Sequence, residues 1–192
     1  MCKFYSAVVS KTGELYHNSF TTSHEDIIAI HQLREGKNGD NICRIEFYPD
    51  KDEDKYDYKK YNLYFNDNRP DWFDDELKEK TIRRLRVIIK RMIITEDAEM
   101  IVGRAVIMKD CKINLVKNVL IYEMSNSRVG VMYGSSQVGE MYDSSQVGVM
   151  RDSSQVGEMY DSSQVGKMWG SSQVGVMYGS SRAPRKPKTD YR

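Results

Sequence analysis

Few residues of this 192-residue chain are spaced for chemistry. His24 and His31 stand seven apart, about two helical turns, too far for the i,i+4 pairing that lets two imidazoles share one metal. Asp71, Asp74, Asp75 and Glu76 cluster where a helix is expected to begin, and a helix N-terminus attracts carboxylates through its dipole alone. Cys2, Cys43 and Cys111 are odd in number and scattered, which predicts reduced thiols rather than a disulfide framework or a zinc cage. No glycine loop precedes a helix at phosphate-cradle spacing, and no local signature marks a Ser/His/Asp or Cys/His set. The sequence thus predicts no catalytic residue, no metal site and no cofactor, and so no enzyme.

The spacing that does point to a chemistry lies in the C-terminal half, and that chemistry is recognition. From Asn126 the chain runs in nine-residue copies: NSRVGVMYG, SSQVGEMYD, SSQVGVMRD, SSQVGEMYD, SSQVGKMWG and SSQVGVMYG. Taking every second copy aligns Tyr142, Tyr160 and Tyr178, beside Glu140, Glu158 and Val176 and beside Asp143, Asp161 and Gly179. The alternate set aligns Tyr133, Arg151 and Trp169. An evenly spaced aromatic row makes a contact surface, because Tyr and Trp bring large area at low entropy cost. Carboxylates recurring about 4.8 Å apart repel one another, so their repetition suggests a cationic partner. Calcium is disfavoured, since SSQVGEMYD lacks the Gly-Gly-x-Gly-x-Asp pattern of the calcium-binding roll. Regular threonine rows suited to ice are absent as well.

Such rows need a scaffold that stacks them. Nine residues are too few for a helical hairpin, and Gly with Ser-Ser in every copy disfavours helix, whereas Val, Met and Tyr between tight turns suit short strands. The expected fold is a β-solenoid: a four-sided β-helix of about 18 residues per coil, two copies to the coil. Positions that do not vary among copies should point inward, namely the second Ser, the Val and the Met. Gln137, Gln155 and Gln173 should stack as an amide ladder. Upstream, IVGRAVIMKD and NVLIYEMS read as eroded copies.

The first hundred residues follow other rules. KFYSAVV and ELYHN flank Lys11-Thr12-Gly13 as a hairpin, and ICRIEFY and DYKKYNLYF are candidate strands. Ser23, with Asp26 three residues on, should cap a helix running to Gly36. A second helix should run from Pro70 to Met92, with Leu77, Leu85, Ile88 and Met92 apolar and Lys78, Lys80, Arg83, Arg84, Arg86, Lys90 and Arg91 on its solvated side. The expected organisation is an α+β domain over 1–99 with an antiparallel sheet and two helices, a solenoid over 100–181 and a basic flexible tail over 182–192.

Charge bounds the partners. The net charge is +1, and five of the basic residues against one acidic lie in residues 180–192. The sequence therefore predicts no nucleic-acid contact outside that tail, Arg182–Arg192. Lys90 and Arg91 interrupt the longest apolar stretch, Val87 to Ile94, so no membrane span is expected. The opening MCKFYSAVVSKTGE has no secretory signal pattern, which predicts a cytoplasmic protein.

With SHEDII at Ser23–Ile28, the Pro70-Asp71-Trp72 step and the SSQVG array, the chain resembles small bacteriophage and prophage proteins that place nine-residue repeats after an α+β domain. That resemblance implies the cytoplasm of a host bacterium and a non-enzymatic module that binds and inhibits a host protein, such as a CRISPR-type or other anti-phage defence component. Two alternatives stand beside it: a structural protein self-assembling as a homo-oligomer through solenoid faces, and a small-ligand or nucleotide sponge lined by the Arg-rich helix. The inward small/large pair is also similar to pentapeptide-repeat proteins, some of which imitate DNA, but the nine-residue period and the missing dense negative charge depart from that pattern.

Overall fold

A computed structural model describes residues 5–36 and 41–184, in two compact units, Met1–Arg91 and Met92–Arg192. Cys2, and the expected basic tail from Arg185 onward, lie outside the described residues.

The first unit holds β1 (Ser6–Ser10), β2 (Leu15–Tyr16), α1 (His24–Ile30), β3 (Ile42–Pro49), β4 (Tyr61–Phe65) and α2 (Asp75–Met92). Its four strands form one antiparallel sheet in the order β2-β1-β3-β4. Val8, Ile27 and Ile42 pack together, so α1 covers the sheet with its apolar side. Ser23 caps α1 as expected, its Oγ accepting from the Asp26 N–H at 3.2 Å. The helix stops at Ile30 rather than Gly36, because Gln32 turns into the left-handed region at φ 52°. α2 starts five residues after Pro70, where Asp74 Oδ1 accepts from the Leu77 N–H at 2.8 Å. Its inner side carries Ile82, Leu85, Ile89 and Met92, while Lys80, Arg83, Arg84, Lys90 and Arg91 are exposed. The strand expected from Asp57 begins at Tyr61 instead; Asp57 caps a short 3₁₀ turn over Tyr58–Lys60 by accepting from the Lys59 N–H.

The second unit is a parallel β-solenoid. Its strands are β5 (Ile93–Ile94), β6 (Ala98–Val102), β7 (Ala105–Lys109), β8 (Lys112–Lys117), β9 (Leu120–Ser125), β10 (Arg128–Tyr133), β11 (Gln137–Tyr142), β12 (Gln146–Met150), β13 (Gln155–Met159), β14 (Gln164–Met168) and β15 (Gln173–Met177). Each strand pairs in parallel with the strand two further on, so the odd-numbered strands make one sheet of six and the even-numbered strands one of five. Stacked partners are fifteen residues apart at Ala98 and Ile113, sixteen at Ile113 and Val129, seventeen at Ile121 and Val138, and eighteen at Val129 and Val147. Two copies per coil is therefore the observed count, and the eroded copies upstream are shorter coils of the same stack.

Each nine-residue copy supplies one hydrogen-bonded strand, and the four sides of the coil arise from a bend within it. Val138 and Met141 are three apart and both buried, as are Val147 and Met150; an unbent strand would send such a pair to opposite faces. The bend falls between them, at Gly139 or Gly148, and a Cβ there would meet the carbonyl oxygen of the rung below at 2.6 Å. Glycine is required at these positions by the close approach of stacked backbones. Inside runs one apolar column from Ile101 through Val106, Val129 and Met141 to Met168. Each fully buried Val or Met in it contributes about 1.5–3 kcal/mol. The second Ser of each copy, Ser136, Ser145, Ser154, Ser163 and Ser172, is fully buried, the small residue where the coil is narrow.

Candidate functional site

Tyr142, Tyr160 and Tyr178 leave the odd-numbered sheet side by side. The first pair of rings stands 4.9 Å apart and 7° from parallel, the second 5.0 Å and 12°. The rung spacing imposes this stack, since residues in register on a parallel sheet recur at the interstrand distance. Two residues before Tyr142 and Tyr160 stand Glu140 and Glu158, paired in register, with Val176 in the same place before Tyr178. The Tyr142 hydroxyl donates to Glu140 Oε2 at 2.6 Å, and Tyr160 donates to Glu158 in the same way. These bonds hold each ring at a fixed angle and keep the phenols protonated. The hydrogen bond to Glu158 pushes the Tyr160 hydroxyl up to about 12, and burial followed by the Glu140 bond raises Tyr142 further. The carboxylates that would repel one another along the ladder are thus each tied to a neutral donor.

Asp143 and Asp161, expected in the same surface, occupy the turns that follow. Both have positive φ, 58° and 54°, and so do Asp110, Asn126 and Asp152. Of these Asp152 lies on the opposite turns, where Asn118, Gly134 and Gly170 take the same conformation, and Gly179 continues the row of Asp143 and Asp161. Only Asp, Asn and Gly occur there because they tolerate the left-handed region. The carboxylates also knit coils together: Asp161 Oδ2 accepts from the Asp143 N–H at 3.2 Å, Asp143 Oδ2 from the Ser125 hydroxyl at 2.6 Å, and Asp152 Oδ2 from the Gly134 N–H at 2.9 Å. The turn geometry accounts for their recurrence.

The alternate set emerges beside the even-numbered sheet. The Arg151 guanidinium lies 5.4 Å from the centre of the Tyr133 ring, a cation–π contact between successive coils, and Trp169 follows, 53% exposed. The structure therefore brings Tyr142, Tyr160, Tyr178, Glu140 and Glu158 to one sheet, and sets Tyr133, Arg151 and Trp169 on the other. What the sequence reading passed over is the rest of that second surface: Lys112, Lys117, Arg128 and Lys167 are all exposed on the even-numbered strands. Stacking the eroded copies on the clear ones would have found them.

The remaining candidates are structural. His24 is buried, its Nε2 3.0 Å from the Ile45 carbonyl, and His31 Nε2 lies 3.2 Å from the His17 carbonyl. Asp74 caps α2, and Asp75 pairs with Arg69 at 2.8 Å. Burial pushes the Cys43 thiol up to about 12 and raises that of Cys111, whose Sγ lies 3.4 Å from the Ile94 carbonyl. Among the described residues no helix is long and apolar enough to cross a membrane. No protein family, curated protein or solved structure matches this chain.

Proposed function

We propose that this protein is a non-enzymatic binding module whose contact surface is the tyrosine and glutamate ladder of the odd-numbered sheet. The observation that carries the reading is the stack of Tyr142, Tyr160 and Tyr178, with the first two hydroxyls fixed on Glu140 and Glu158. Aromatic rings held at set angles lose little entropy when a partner covers them, which is the property that makes Tyr prominent at interfaces. The partner that suits the ladder is a protein offering basic side chains, since carboxylates recur beside the rings at every rung from Glu140 to Glu158. The resemblance to phage proteins directs that reading to a host bacterial protein, of which an anti-phage defence component is one class.

The test is capture from a bacterial lysate with tagged full-length protein, beside a variant with Tyr142, Tyr160 and Tyr178 all replaced by Ser. The expected result is a stoichiometric host protein retained by the first and lost by the second, both giving the same β-type circular dichroism. Equal capture by both would refute the ladder as the contact.

A further inference from the structure

The two outer faces of the solenoid differ in charge, with one exposed carboxylate, Glu99 on β6, bonded to the Asn114 amide at the foot of the even-numbered sheet. On the odd-numbered sheet, Glu123, Glu140 and Glu158 stack in register. On the even-numbered sheet, Lys112 stacks on Arg128 in one column, and Val131, Val149 and Lys167 form another in register. Lys117 and Arg151 lie at the ends of their strands, and these cations are exposed. Among the described residues, Lys112, Lys117, Arg128 and Lys167 have no salt-bridge partner. Between the two columns runs a shallow groove over Gly130, Gly148 and Gly166, walled by Arg128 on one side and Val149 and Lys167 on the other. Apolar area lies alongside, with Met100 60% exposed at the foot of the Val131 column.

We infer that this basic face is a docking surface for a second copy of the chain, which presents its glutamate and tyrosine ladder to the glycine-floored groove. Charge complementarity supports it, and so does pitch. Both faces are built on the same coils, so both ladders repeat at the rung spacing of about 4.8 Å, and copies laid with their axes aligned match at every rung. A nucleic-acid duplex presents one phosphate per strand for about every 3.4 Å of helix axis, on strands that wind around it, and falls out of step with such a straight row. The contact joins unlike faces, so it is heterologous and leaves a free face at each end, which produces open rows rather than closed dimers. This inference rests on reading the ladder as a contact surface; it adds that one occupant of the ladder is the protein itself.

The test is sedimentation velocity of the full chain over a range of concentrations. Wild type should form species that grow with concentration, and the apparent affinity should fall at least about tenfold between about 0.05 M and about 0.5 M salt as the facing charges are screened. Two charge-reversed variants separate the faces: one carries Glu140→Lys with Glu158→Lys, the other Arg128→Glu with Lys167→Glu. Each alone should associate at least about tenfold more weakly than wild type, because like charges then face one another at the reversed positions, and an equal mixture should associate again. A wild type that stays monomeric at about 100 μM in low salt, or a mixture that fails to associate when wild type does, overturns the inference. The basic-face variant keeps the ladder intact, so it should still capture a host protein. A monomeric wild type whose host capture is lost on removal of the three tyrosines would end this inference and leave the ladder reading standing.

Discussion

Replacing Gly148 by Ala adds a methyl group aimed at the coil below. The new Cβ would lie 2.6 Å from the Gly130 carbonyl oxygen and 3.5 Å from its carbon. Reaching an ordinary contact of about 3.4 Å requires the two rungs to part by about 0.8 Å. Hydrogen bonds of about 2.9 Å between β10 and β12 then stretch to about 3.7 Å, where they contribute little. Losing two or three of them costs roughly 2–4 kcal/mol, at about 1 kcal/mol each with some loosened packing of Val147 and Met150. Reduced freedom of the unfolded chain returns about 0.4–1 kcal/mol. The net expectation is about 2–3 kcal/mol of destabilisation, a fall in Tm on the order of 10 °C for a unit of this size. Gly103 is the control: it has φ 60° and nothing within 4 Å of an added Cβ. Gly103→Ala should therefore cost only the left-handed strain of about 1 kcal/mol. Urea denaturation followed by circular dichroism, with Trp169 fluorescence as a second probe, measures both variants. If Gly148→Ala proves no more costly than Gly103→Ala, close stacking of the glycines is not what selects them.

The buried serines should divide into two groups under thermal denaturation. Ser145 Oγ donates to the Met124 carbonyl at 2.9 Å and accepts from the Ser127 N–H at 3.3 Å, so Ser145→Ala should cost about 1–2 kcal/mol, whereas the buried Ser154 and Ser163 hydroxyls have no hydrogen-bond partner among the described residues and their replacement should be close to neutral. At the turn, Asp152→Ala loses both a residue suited to φ 56° and the bond to the Gly134 N–H, for about 1–2 kcal/mol, and Asp152→Gly should recover roughly half by restoring the backbone freedom. The raised phenols make the ladder sensitive to alkali. A group whose pKa rises on folding stabilises the fold fully below its unfolded value and loses that contribution above it, so the Tyr160 share should vanish between about pH 10 and about 12 and the Tyr142 share should outlast it. Absorbance titration near 295 nm should show Tyr142 and Tyr160 ionising late, and the delay should shorten in Glu140→Gln/Glu158→Gln, most for Tyr160.

The solenoid was readable because an exact repeat exposes its own tolerance to change. Within six copies the Val and Met never vary, and through Met168 they are the column that the structure buries, while Met177 on the last rung is exposed. The two-copy coil followed from alternate copies being more alike, as the eighteen-residue register between Val129 and Val147 bears out. The recurrence of Asp143 and Asp161 serves two roles at once in the sequence, since a left-handed turn and a binding carboxylate select the same residue, and φ supplies the first of them. Gly139 and Gly148 read as corners, but no sequence pattern reveals that a carbonyl of the next coil sits where their Cβ would be. The basic face was missed because its charges are spread over copies too eroded to align by eye, Lys112 and Lys117 among them, and only strand register sets them beside Arg128 and Lys167. In the first unit the helix ends moved by several residues for local reasons, an αL residue at Gln32 and an aspartate cap at Asp74.

The alternation of sheets along the chain imposes a parity rule on the array. Consecutive copies fall on opposite faces, so gaining or losing a single copy upstream of Ser153 would transpose every later rung: Tyr160 and Glu158 would move to the face of Arg151, and Lys167 would move to the face of the tyrosines. Gaining or losing two copies lengthens or shortens both ladders by one rung and leaves their identities intact. A stack of this kind can therefore drift in length while conserving its two faces only if its copies are counted in even steps.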